Sequence, residues 1–213
     1  MSKLLQDLLE LANGALRPQP LEPLKIVSGR IVACDPLTSP MEAFEYEVAP
    51  GTYPVYAWHS EQEGTIAGAE MRFSDNRPVR WELAVRPGQD KSTLKEGEIF
   101  GYPVDAGLGS FADEDAIRAM QALDQRLQEE LGDEYVSLYD DLVADVLEEH
   151  DGVWGNLAAD EENGLNVIMF SSGHGDGFYA SYWGIDENDE VVSLLTDFQV
   201  VQEGHAEETN HEI

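Results

Sequence analysis

The sequence predicts a single α+β domain: antiparallel β meanders forming a sheet or sandwich, two central helices packed on one side, and a short N-terminal helix. Short apolar and aromatic runs recur along the chain, separated by clusters of Gly, Pro, Asn, Asp and Ser. Two longer stretches, 113–131 and 134–149, instead carry apolar residues at helical spacing. Strands come first, then helices, then strands again. That order favours an α+β layout over the alternating units of a parallel sheet.

At 213 residues the chain suits one domain. It divides into an amphipathic helix and Pro-rich spacer (1–23), the α+β domain (24–202) and a polar tail (203–213). In 1–16, Leu4, Leu5, Leu8, Leu11 and Leu16 recur at helical spacing with Asp7 and Glu10 between them. These acids interrupt any secretory signal, and no window approaches the length of a membrane helix. Pro18, Pro20 and Pro23 end the helix and make a stiff spacer. A strand is expected over 25–34, through Ile26, Ile31 and Val32, then a turn at Asp35-Pro36 and a loop over 37–41. Segments 53–58, 65–73 and 79–85 fit one meander, with Trp81, Leu83 and Val85 on a single face.

From 86 to 110 the pattern weakens, with a short strand within 98–104 and a flexible loop at 107–109. Asp113 is a good N-cap for the first central helix, whose apolar stripe is Ile117, Met120, Leu127 and Leu131. Gly132 and Asp133 break it. The second helix turns Tyr135, Leu138, Leu142 and Val146 inward, and Asp140, Asp141, Asp145, Glu148 and Glu149 outward. Runs at 167–170 and 178–183 flank a loop with Gly173, Gly175 and Gly177, which predicts a tight hairpin. A third run at 191–195 follows the turn 186–189 and completes a second meander.

Twelve basic residues face 43 acidic ones, for a formal net charge of −31. Such a field repels nucleic-acid phosphate and anionic lipid, so neither is expected as a partner. It attracts divalent cations and basic proteins. It also suits solvation in a salt-rich cytoplasm, consistent with only four lysines. The single Cys34 excludes a disulfide framework and a cysteine-rich zinc site, and reads as a reduced thiol in a cytoplasmic protein.

His174 and Asp176, at the tip of the glycine loop, are the most chemically suggestive pair. Both can reach one cation, and Asp105, in an irregular glycine-flanked segment, is the best further oxygen donor. The alternatives are a polar hairpin facing water and, for Asp105, an Asx-turn. If there is a shared site, the 101–109 and 172–177 loops converge. The segment 107–113 resembles a phosphate-cradling loop only loosely, lacking its lysine and spacing. Tyr179, Ser181 and Trp183 alternate on one strand face, as core or as an aromatic groove. Ser171 and Ser172 lack a nucleophile elbow. Arg30 and Arg80 stand out among few cations, either as structural ion pairs or as anion holders.

Ser28-Gly-Arg-Ile-Val-Ala-Cys-Asp-Pro36, Gly51-Thr-Tyr-Pro-Val55, Arg80-Trp-Glu-Leu-Ala84, Gly101-Tyr-Pro-Val-Asp-Ala-Gly107 and Gly175-Asp-Gly-Phe-Tyr-Ala-Ser-Tyr-Trp-Gly184 form a specific combination. In these motifs the chain resembles the bacterial domain-of-unknown-function family 4241, from about Ser28 to Phe198. The resemblance names a family without an activity, and directs attention to Asp35, Asp105, Asp176, Tyr179 and Trp183. Two functions are expected to compete. One is an acidic cytoplasmic binding protein that neutralises a basic protein partner. The other is a metal-dependent hydrolase using a divalent cation, with Asp105, His174 and Asp176 as ligands or base.

Overall fold

Where both faces of a strand are covered, every residue in it can be apolar, and burial along the strands sorts this fold into layers. The computed structural model describes residues 1–10 and 15–202. In chain order the elements are α1 (Lys3–Glu10), β1 (Leu16–Pro20), β2 (Leu24–Ile26), β3 (Ile31–Cys34), β4 (Gly51–Tyr53), β5 (Val55–Ser60), β6 (Thr65–Arg72) and β7 (Arg80–Leu83). Next come β8 (Tyr102–Val104), β9 (Leu108–Asp113) and α2 (Glu114–Leu131). A π-helical turn, Tyr139–Val143, then runs into α3 (Ala144–Glu148). The chain closes with β10 (Trp154–Asp160), β11 (Leu165–Ser171), β12 (Gly177–Ile185) and β13 (Val191–Asp197).

The fold is α+β, and all its strand pairs are antiparallel. One sheet runs β1-β5-β6-β13-β12-β7, with β8 added along β12; the second runs β10-β11-β9-β3, and β2 pairs with β4. Ile31, Ala33, Phe111, Ile168 and Phe170 of the second sheet share a core with Val55, Ala57, Met71 and Leu194 of the first. Their neighbours Val32, Cys34, Ala112, Val167 and Met169 turn the other way and pack with Ala116, Ile117 and Met120 of α2 and Leu147 of α3. The second sheet is therefore a middle layer, with both helices on its outer side.

Several local expectations are corrected. The stretch 25–34 is two strands in different sheets, divided at Gly29, whose φ of 81° and close approach to the Val48 carbonyl suit only glycine. The Pro-rich stretch is an edge strand on β5, a position that tolerates Pro18 and Pro20. Leu16 belongs to it rather than to the helix. Leu11 and the tail 203–213 lie outside the described residues. β7 pairs with β12 instead of β6, so the first meander is only a hairpin. Segments 167–170 and 178–183 form no hairpin either: β11 and β12 lie in different sheets, and 172–176 crosses between them. Gly173, at φ 67°, fits there because a Cβ would strike Val200.

Of the glycines expected in a flexible loop, Gly107 forms a bend before β9 and Gly109 lies within that fully buried strand. In the second helix, the π-turn inserts one extra residue, so the buried positions are Leu138, Val143 and Leu147 instead of Leu142 and Val146. In α2 the buried part of the stripe stops early: Leu127 is half-buried and Leu131 exposed.

α1 covers the outer face of the first sheet. Leu4 fills the space left by Gly68, and Trp81 Nε1 donates to the Leu5 carbonyl at 3.1 Å. Asp197, opposite Gly68, is buried on the same face. Burial raises its carboxyl above the ordinary range, although contacts with Ser2 and the Gln199 N–H oppose this. The native state thus holds this proton more tightly than the unfolded chain. The stabilising contribution is complete below the ordinary carboxylate range and is lost as pH rises through the raised value. Asp197→Asn keeps an oxygen for Gln199 and is expected to raise the thermal midpoint at neutral pH by a few degrees. A midpoint unchanged or lowered at neutral pH contradicts this.

Candidate functional site

The segments that carry the sequence candidates do meet. β8 pairs with β12 through Gly177↔Val104, Phe178↔Pro103 and Tyr179↔Tyr102, and Ser172 N donates to Gly107 O at 3.1 Å. Gly101 allows the approach, since a Cβ there would lie 2.3 Å from the Tyr179 carbonyl oxygen. Asp105, His174 and Asp176 are exposed on these segments. Among the described residues, no three of His, Cys, Asp and Glu are grouped to hold a metal ion.

Asp35 is fully buried. Its Oδ1 accepts from Leu37 N and Thr38 N at 3.0 and 3.1 Å, and its Oδ2 from Asp105 N and Ala106 N at 3.0 and 2.8 Å. Burial alone would raise this carboxyl, but these donors outweigh it and hold it below the ordinary value. Asp35 makes the Asx-turn of its own loop through Leu37 and, through Asp105 N and Ala106 N, fastens the Asp105 loop to it. Tyr179 closes the glycine loop: its hydroxyl donates to Gly175 O at 2.8 Å, and its ring occupies the space beside Gly177. Trp183 is 6% exposed, with ring centroids 5.6 Å from Phe44 and 5.2 Å from Tyr46. Both aromatics are packing residues. Arg30 pairs with Glu114, and Arg80 with Glu82 and Asp189.

Sequence reasoning missed a cleft of about 660 Å³ in the helical layer. Ile117 and Met120 of α2 line it with the 36–40 loop that Asp35 holds, and with Tyr135, Leu138 and Tyr139. Asp124 also lines it and accepts a hydrogen bond from the Tyr135 hydroxyl. Tyr139 (45%) and Val136 (69%), which lies between the lining residues Tyr135 and Ser137, are exposed there, and Leu131 (36%) is exposed at the end of α2. Glu129, Glu130, Asp133, Glu134 and Asp140 are exposed in the same stretch. No lysine or arginine follows Arg126, which itself precedes Glu129 and Glu130 by three and four residues on α2. The missing cations were visible in the sequence; the π-turn and the loop that shape the cleft were not. No helix of the described residues is long and apolar enough to cross a membrane.

No curated protein and no solved structure matches the chain. A family model described as "Protein of unknown function (DUF4241)" matches residues 24–196, leaving α1 and β1 outside it. That match spans most of the 213 residues and agrees with the resemblance carried by the motifs, so the chain belongs to the DUF4241 family.

Proposed function

We propose that this is an acidic binding protein that takes, and neutralises, a basic protein partner on its helical layer. One observation carries the reading: exposed Val136 and Tyr139 lie at a cleft in a stretch, 127–149, with many acids and no lysine or arginine. An apolar centre with a charged rim is the usual anatomy of a protein interface. The rim steers a basic partner and rejects acidic ones, while the apolar anchors and the cleft supply contact area. Cys34 fits a cytoplasmic setting: it is buried, and burial pushes its thiol up to about 11, which leaves it inert.

The test is affinity capture from the native cytoplasm at low and moderate salt, with metal analysis of the same preparation. Glu130→Lys with Asp133→Lys reverses exposed charge at the C-terminal end of α2, where the helix dipole favours cations. The expected result is a basic protein retained at low salt, released by moderate salt and held about tenfold less tightly by the double variant. Retention indifferent to both salt and charge reversal would sink the reading. A stoichiometric transition metal with no retained protein would favour the hydrolase reading on Asp105, His174 and Asp176 instead.

A further inference from the structure

The first sheet carries a second cleft, of about 1010 Å³, on its outer face, opposite the helical layer. Alternation along β5 turns Tyr56 and Trp58 to this face, and register places Glu70 of β6 directly across from Tyr56. The end of α1, the 73–79 loop and Trp81 form the rim.

Arg72 is held flat on this floor. Its guanidinium lies 4.3 Å from the centroid of the Tyr56 ring and 5.7 Å from that of Trp58. Arg72 Nε and one terminal nitrogen donate to Glu70 Oε2 at 3.0 and 2.9 Å, and the same oxygen accepts from Trp58 Nε1 at 3.1 Å. Glu70 is only 4% exposed, so the carboxylate that fixes Arg72 is itself immobile. The side edge of the guanidinium is thereby used, leaving the donors of its far end. Arg77, exposed on the rim, makes no ion pair with a described residue. In a chain with 12 cationic residues against 43 acids, two arginines line one aromatic cleft together with Asp7, Glu70 and Asp75, and neither has all of its donors taken by described residues.

We propose that this cleft binds a small aromatic carboxylate, its ring against Trp58 and its carboxylate on Arg72 and Arg77. A planar guanidinium matches a carboxylate through two parallel hydrogen bonds, and the half-buried indole of Trp58 favours a flat ring. Glu70 already offsets the charge of Arg72, and Asp75 lies in the same loop as Arg77, so a singly charged anion suits the site better than a doubly charged phosphate. The proposal is independent of the basic-partner reading, which concerns the other side of the molecule.

The test titrates the full chain with benzoate and 4-hydroxybenzoate, with benzamide and inorganic phosphate as comparators. Affinities come from calorimetry and from the indole N–H resonances. Both carboxylates are expected to bind saturably, about tenfold more tightly than benzamide, which has the ring without the charge. The Trp58 resonance should move and that of Trp183, in the inter-sheet core, should not. Arg72→Met is expected to weaken benzoate about tenfold; Arg77→Ala, on an exposed loop and safe for folding, about threefold. The proposal is overturned by no saturable carboxylate binding, by equal affinity for benzamide, by tighter binding of phosphate, or by indifference to both variants.

Discussion

Arg86→Met is expected to remove about 4 kcal/mol of stability, a large share of what a domain of this size holds. Arg86 is 4% exposed and makes no ion pair with a described carboxylate. Its donors go to backbone carbonyls instead: Nε to Glu42 at 3.0 Å, one terminal nitrogen to Gly101 at 3.3 Å, and the other to Ala33 at 2.7 Å. The guanidinium also lies 4.8 Å from the centroid of the Phe44 ring. Ala33 belongs to the middle sheet and Gly101 leads into the strand added to the first, so one side chain ties the two layers. Met fills much of the volume but leaves three carbonyls without these donors. Arg86→Lys keeps the charge yet cannot span all three acceptors, and is expected to lose about half as much. Urea unfolding followed by circular dichroism reads both variants. A loss under about 1 kcal/mol for Arg86→Met would show that the carbonyls find other partners.

Asp35→Ala is expected to lose a similar amount at neutral pH, about 4 kcal/mol, because four backbone N–H groups lose their acceptor at once. Asp35→Asn separates the two halves of the clamp. Its oxygen can keep Leu37 and Thr38, while its NH2 would face the Asp105 and Ala106 donors; an intermediate loss is expected. The pH dependence has a definite sign. The folded-state carboxyl lies below its ordinary value, so its contribution is fully present above the ordinary carboxylate range and disappears as pH falls through the lowered value. The gap between wild type and Asp35→Ala should therefore close in acid. A gap independent of pH would mean that the lost contacts are not those of the ionised carboxylate.

Local signals in the sequence were reliable where the structure is local. Asp113 does cap α2, its Oδ1 accepting from Asp115 N at 2.8 Å, and the β5–β6 and β12–β13 hairpins follow their alternating patterns. What was illegible depends on packing between distant residues. Gly109 reads as flexibility, yet a Cβ there would lie 2.9 Å from Phe170 and 3.0 Å from the Tyr102 hydroxyl: the glycine makes room. β10, with Gly155, Asn156, Ala158 and Ala159, has little strand preference of its own and pairs because β11 lies beside it. Among the candidate residues, the sequence brought the right loops together but not their roles. Asp35 and Tyr179 hold those loops, whereas Arg72, Arg77 and Arg86 carry no motif that sets them apart from surface cations.

The strand order has a consequence for how the chain is made. β13 is the last strand of the described residues, yet it sits between β6 and β12 at the middle of the larger sheet. On the ribosome, β1, β5 and β6 can assemble early, but the inner edge of β6 then waits, unpaired, while residues 73–190 are made. That edge is a run of buried residues, Ile66, Ala67, Ala69 and Met71, and an open edge of this kind invites pairing with other chains. Only when 191–197 emerges can the two halves of the sheet zip together. Newly made chains are therefore most exposed to aggregation until 191–197 emerges, and a stop codon or cleavage ahead of Val191 would leave two half-sheets with no strand to join them.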